Sequence, residues 1–188
     1  LTENLLRIVD LRAGVPASSE VNRLVPRASL KIETAVEQVT GLIQDVATRG
    51  EAALITATQK FDGFDPSPIR VSREELANAL AGLSADLRRS LEASIDRVRR
   101  VSEDNLPKTV TTELISGGKV HQRWQPVDSV GLYVPGGKAV YPSSVVMNVV
   151  PAQVAGVKRL VIVTPGQKDF NGRPHPTVLA AAELLGVT

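Results

Sequence analysis

The stretch Val130-Gly131-Leu132-Tyr133-Val134-Pro135-Gly136-Gly137-Lys138 decides the fold of this chain. Val130 to Val134 is a short β-rich run, and Pro135-Gly136-Gly137-Lys138 ends it in a turn. A helix follows from Pro142 or Ser143 to Ala155, with Gly156 as its stop and Pro151 expected to kink it by removing a backbone donor. Leu160 to Val163 then reads as a continuous apolar strand of the type buried in parallel sheets. Thr177 to Leu185 is the last predicted helix, closed by Gly186. Strand, glycine loop, helix, strand, helix is the pattern of an α/β protein with a parallel sheet.

Upstream the period is helical. Ile32, Ala35, Val36, Val39, Leu42, Ile43 and Val46 recur at steps of three and four residues, and Gly50 ends that run. A second helix is predicted from Glu51 to Lys60, ending in Phe61-Asp62-Gly63. Ile69-Arg70-Val71 is a candidate strand. Ser72 and Glu75 form a capping box ahead of Leu76, Ala79, Leu80 and Leu83. Ser84 caps a helix built on Leu87, Leu91, Ile95, Val98 and Val101, which Asn105 and Pro107 end. The period then switches to β. Thr109 to Ile115 and Lys119 to Gln125 flank Ser116-Gly117-Gly118, whose glycines supply the positive φ angles of a tight hairpin, with Trp124 expected on one face. Residues 1–28 read as an arm, interrupted by Gly14, Pro16 and Pro26, in which Ser18, Ser19 and Asn22 favour turns. Leu5, Leu6, Ile8 and Val9 fit a short helix or a strand equally. The division is therefore an arm at 1–28, a helical part at 29–107, a hairpin at 108–128 and the start of a Rossmann-like unit at 129–188.

Composition narrows the function. The 188 residues are 43% hydrophobic and 22% charged, with a formal net charge of +2, which is ordinary for a folded protein. A sequence pI of about 9.1 does not make a nucleic-acid binder. Aromatics are only 3%, and Arg97, Arg99 and Arg100 lie among Glu92, Asp96, Glu103 and Asp104, as on a solvated helix face. The absence of cysteine removes disulfides, thiolate metal sites and cysteine nucleophiles. It fits a reducing cytoplasm. No apolar run is long enough to span a bilayer.

A parallel strand that delivers a glycine turn to a helix start is a common phosphate cradle. Gly136, Gly137 and Lys138 have that placement. The loop is neither G-x-G-x-x-G nor a Walker loop, since Ala139 stands where a magnesium-binding hydroxyl belongs. Pattern alone leans towards a plain tight turn. Tyr133, at the carboxyl end of its strand, is placed to stack on a ring or to serve as a core residue with a wet hydroxyl. Asn148 sits among Val145, Val146, Met147, Val149 and Val150, so its amide needs a partner. The histidines, His121 and His175, lack ligand spacing and read as a cross-strand residue and a loop-ordering residue. Neither a catalytic residue nor a metal ligand is predicted in this stretch.

The segment from Val130 to Asn148 resembles the histidinol dehydrogenase family. So do Val149 to Val157, Val163-Thr164-Pro165, Pro174-His175-Pro176 and Ala180 to Val187. Arg49 to Leu54 and Lys60-Phe61-Asp62-Gly63 resemble the family's early helical region. The resemblance implies oxidation of L-histidinol to L-histidine through an enzyme-held aldehyde, with two NAD molecules used in turn. It implies a zinc ion that positions substrate, a His/Glu proton-transfer pair and a homodimer with shared active sites. Tyr133 takes the position of the family's NAD-contacting tyrosine. Pro135, Gly136 and Gly137 follow as neighbours of the cofactor, and Phe61 more distantly. Members are more than twice this length, so the zinc ligands and the His/Glu pair are expected beyond Thr188, and the 188 residues alone are expected to be inactive. The other readings are a nucleotide- or phosphate-binding module without catalysis, or another NAD-dependent aldehyde or alcohol dehydrogenase.

Overall fold

A computed structural model of the chain describes residues 10, 12, 14, 17–24, 32–136 and 139–187. The chain divides into two compact units, Leu1–Thr48 and Arg49–Thr188. In the first lie α1 (Ser18–Leu24) and most of α2 (Ile32–Arg49). The helix α1 corrects the reading of Ser18, Ser19 and Asn22 as turn residues. The short pattern at Leu5, Leu6, Ile8 and Val9 lies outside the described residues. Along α2 the apolar stripe of Ile32, Val36, Val39 and Ile43 is exposed.

The second unit opens with α3 (Glu51–Phe61), α4 (Arg73–Ala81) and α5 (Ala85–Asp104). The start of α4 is closed reciprocally. The Ser72 hydroxyl accepts from the Glu75 N–H at 3.2 Å, and the Glu75 carboxylate accepts from the Ser72 N–H at 2.8 Å. Two donors that a helix start leaves bare are thereby satisfied. Ser84 accepts from the Leu87 N–H at the start of α5. Arg88–Glu92 and Arg100–Asp96 form ion pairs one turn apart on the exposed face of α5, whereas Arg99, half-buried, donates to the Gln153 side chain at 2.9 Å, so the basic cluster is only in part a solvated face. Ile69-Arg70-Val71 is not a strand but an irregular link, bent at Arg70, into the Ser72 cap.

The hairpin pairs β1 (Val110–Ile115) with β2 (Gly118–Gln122) in antiparallel register. Only Gly117 takes the positive φ, at 81°; Gly118 already belongs to β2. A Cβ on Gly118 would stand 2.8 Å from Ile115 Cγ1, so the bulged turn has no room for one. His121 pairs with Thr111 across the strands, with Nδ1 2.9 Å from the hydroxyl. Trp124 falls beyond the end of β2 and is 56% exposed, which corrects its assignment to a face of the hairpin.

The parallel unit follows: β3 (Ser129–Tyr133), α6 (Pro142–Val154), β4 (Arg159–Val163), a 3-10 turn at Lys168–Phe170 and α7 (Pro176–Leu184). The two strands run parallel, Ser129 opposite Arg159 through Tyr133 opposite Val163. Both helices stop as their glycines require. Gly156 (φ 87°) and Gly186 (φ 66°) adopt the left-handed conformation. The Val157 and Val187 N–H groups reach back to the Ala152 and Ala182 carbonyls, the geometry of a Schellman stop. Pro151 is carried inside α6 without ending it. Val134, Val145, Val146, Val149 and Val150 are fully buried. Around them α6 packs on α5, α7 and both strands, and α4 packs on α7.

β4 differs from the fully buried strand expected. Leu160 and Ile162, with Leu132 of β3, pack into the core. Val161 and Val163 are exposed, as is Tyr133 on the same sheet face. α6 covers one face of the pair, and apolar composition alone does not reveal that the other is left bare.

Candidate functional site

The carboxyl ends of β3 and β4 lie side by side, and their loops touch. Tyr133 is the last residue of β3, its side chain 65% exposed. The next residue turns the other way: Val134 is fully buried, and its N–H donates to the Val163 carbonyl at 2.9 Å. Pro135 and Gly136 follow. A Cβ on Gly136 would stand 3.0 Å from Pro165 Cγ, so the loop after β3 lies against the proline that follows β4. Close packing, not a left-handed φ, is what calls for glycine here. Gly137 and Lys138 lie outside the described residues. Ala139 and Val140 lead into α6, where Pro142 takes the first turn, a position whose missing N–H has no helical partner to lose. Ser143 and Ser144 fall inside that turn. The N-cap is Tyr141, without a side-chain cap bond, so neither serine is the cap.

Asn148 of α6 finds the partner its apolar surroundings demand. Its Nδ2 donates to the Tyr133 carbonyl at 3.1 Å. The site at the strand ends is therefore an exposed ring, a tight Pro-Gly loop and a helix that holds the strand terminus.

The remaining candidates lie elsewhere. Phe61 ends α3, exposed, with Lys60 Nζ 5.2 Å from its ring centre. His175 is the N-cap of α7; its Nδ1 accepts from the Thr177 N–H at 3.1 Å, and Phe170 meets its ring edge-on at 4.8 Å. That is the ordering role its proline-flanked position suggested. Among the described residues no group of three His, Asp or Glu side chains could hold a metal ion. None of the described helices is long and apolar enough to cross a membrane.

Sequence reasoning missed Arg173. Its guanidinium grips Glu75 with two bonds, Nε at 2.7 Å and Nη2 at 2.9 Å, and also donates to the Pro68 carbonyl. Glu75 thus serves its own helix cap and a partner 98 residues away. The Ser72 N–H holds its carboxyl below the ordinary carboxylate range; burial opposes this and Arg173 adds to it. No local pattern announces such a contact. A groove of about 670 Å³ runs beside it, lined by Asn78, Leu83, Arg173 and Thr177 among others. Its arginine is already committed to Glu75 and to backbone carbonyls, which marks that region as scaffold.

Known proteins supply the context for this geometry. The family model described as histidinol dehydrogenase matches residues 25–188. A histidinol dehydrogenase of Nocardia farcinica is 51% identical over 95% of this chain, and one of Thermobifida fusca is 52% identical over 95%. A crystal structure of histidinol dehydrogenase from Elizabethkingia anophelis superposes on 92% of the chain with a TM-score of 0.83 at 30% identity. The chain spans about 40% of the length of the curated relatives it matches and 39% of that crystallised chain.

Proposed function

This chain belongs to the histidinol dehydrogenase family, and from that premise we propose that the protein carrying it oxidises L-histidinol to L-histidine with NAD as oxidant. The observation that carries the local part of this reading is the bare Tyr133 ring at the carboxyl end of β3, beside the Pro135-Gly136 loop. Ligands of open α/β sheets bind in that place, beyond the strand ends. NAD supplies the hydride acceptor; two NAD molecules take the four electrons that separate the alcohol from the acid.

The residues at these strand ends fit one wall of such a cofactor site. Tyr133 would lend a flat ring for stacking and a hydroxyl for a hydrogen bond. Pro135 and Gly136, with Gly137 beyond them, would keep the adjoining backbone close. The fit does not extend to zinc. Among the described residues no three His, Asp or Glu side chains gather as a metal site; His175 is a helix cap and His121 a cross-strand partner. We therefore assign zinc binding and proton transfer to other parts of the protein, and cofactor contact alone to this stretch. The remaining expectations are a homodimer and inactivity of the 188 residues by themselves.

The test is a turnover assay on the whole protein and on the 188-residue polypeptide. Histidinol-dependent NADH formation by the whole protein, absent from the short one, supports the reading. Failure of the whole protein to oxidise histidinol, or turnover by the 188 residues alone, would refute it.

A further inference from the structure

We propose that Asn148 is a positioning residue, which sets the Tyr133 ring for the cofactor by holding the backbone at the end of β3. The inference rests on the cofactor reading of Tyr133 and names a second residue on which it depends. Successive residues of a strand turn their backbone groups to opposite edges. The Val134 N–H bonds to Val163 of β4, so the Tyr133 carbonyl faces the other edge. The Asn148 Nδ2 donates to that carbonyl at 3.1 Å.

The peptide joining Tyr133 to Val134 is thus held at both polar groups: its N–H by Val163 of β4 and its carbonyl by Asn148 of α6. Beside the two grips stands Tyr133, largely exposed. An exposed ring on a frayed strand end would have to be ordered by the ligand, at a cost in affinity. Clamping its backbone removes that cost beforehand and leaves side-chain rotation as the remaining freedom. The same bond explains why an amide interrupts Val145, Val146, Met147, Val149 and Val150, where an apolar side chain would serve the core as well. Asn148 need not touch the cofactor.

A double-mutant cycle on the whole protein tests this, with NAD affinity and the two Michaelis constants as readouts. Asn148→Ala is expected to weaken NAD binding about 3- to 10-fold, the range of one lost hydrogen bond, and to leave the histidinol KM within about 2-fold. In a Tyr133→Ala background the same change should add nothing, because the ring it positions is gone. A merely structural role would act equally in both backgrounds. If Asn148→Ala does not fold, Asn148→Leu, neutral and of similar size but without the donor, takes its place with the same expectations. Unchanged NAD affinity in the Asn148 variant while Tyr133→Ala binds poorly, or full additivity in the cycle, overturns the proposal and leaves the cofactor reading standing. Unchanged affinity in Tyr133→Ala overturns both.

Discussion

Replacing Gly166 by alanine probes how the loop after β4 is built. A methyl group at Gly166 would overlap the Gly172 carbonyl, with its carbon 2.7 Å away and Phe64 Cζ 3.0 Å away. The Phe64 ring edge can yield slightly; the carbonyl cannot yield alone. Gly172 donates to the Gln167 carbonyl at 2.9 Å, and Gln167 donates to the Arg173 carbonyl at 3.0 Å. Making room by opening the loop would break both bonds, at about 1–3 kcal/mol for the pair. Keeping the loop closed would strain it, at a similar 1–3 kcal/mol or so. Against either stands a gain of roughly 0.4–1 kcal/mol from the stiffer unfolded chain. The net loss is about 1–2 kcal/mol. Gly131 is the control: nothing lies within 4 Å of the point a methyl group would occupy there, and its φ is not left-handed, so Gly131→Ala should be neutral or stabilising by up to about 1 kcal/mol. Urea unfolding followed by far-UV circular dichroism measures both. The Gly166 variant should lose roughly 0.5–1 M in midpoint at unchanged slope. Equal midpoints for the two variants would refute this packing account.

Two further predictions concern the joint between α4 and that loop. Arg173→Lys should destabilise by about 1–3 kcal/mol, because an ammonium cannot reproduce the two-pronged grip on Glu75; a thermal melt within a degree of the parent would contradict it. Glu75→Gln should flatten the acid limb of stability. The Glu75 carboxyl titrates below its unfolded value of 4.5, so its contribution is full above that pH and is lost as pH falls through the lower folded value. The gap between parent and variant should therefore close on acidification, and a pH-independent gap would show that the charge on Glu75 is not what matters.

Local rules made much of this fold legible. The capping pair Ser72 and Glu75 and the stops at Gly156 and Gly186 follow from residues a few positions apart, and the parallel pairing of β3 with β4 from the strand–helix–strand order. Asn148 was legible as a question, an amide needing a partner, but not as an answer, because the Tyr133 carbonyl comes near only once α6 has docked. The misreadings share one cause. β4 is apolar along both faces, and composition cannot tell a covered face from a bare one. Ile69 to Val71 has strand-forming residues with no strand to pair with. Arg173 acts across 98 residues, beyond any pattern a window can hold. Tyr133 stood out because a strand end, a tyrosine and a glycine loop are consecutive in the chain; that its ring is exposed rather than in the core came only with the fold. Gly136 was legible as a required glycine, although the contact requiring it is with Pro165.

The most direct test of the central claim is the NAD dissociation constant of the whole protein with Tyr133 and with Tyr133→Ala. Loss of stacking and of one hydrogen bond should cost about 1–3 kcal/mol, or roughly 5- to 150-fold in affinity, with the histidinol KM little changed. An unchanged NAD affinity in a folded Tyr133→Ala protein would take this end of β3 out of the cofactor site.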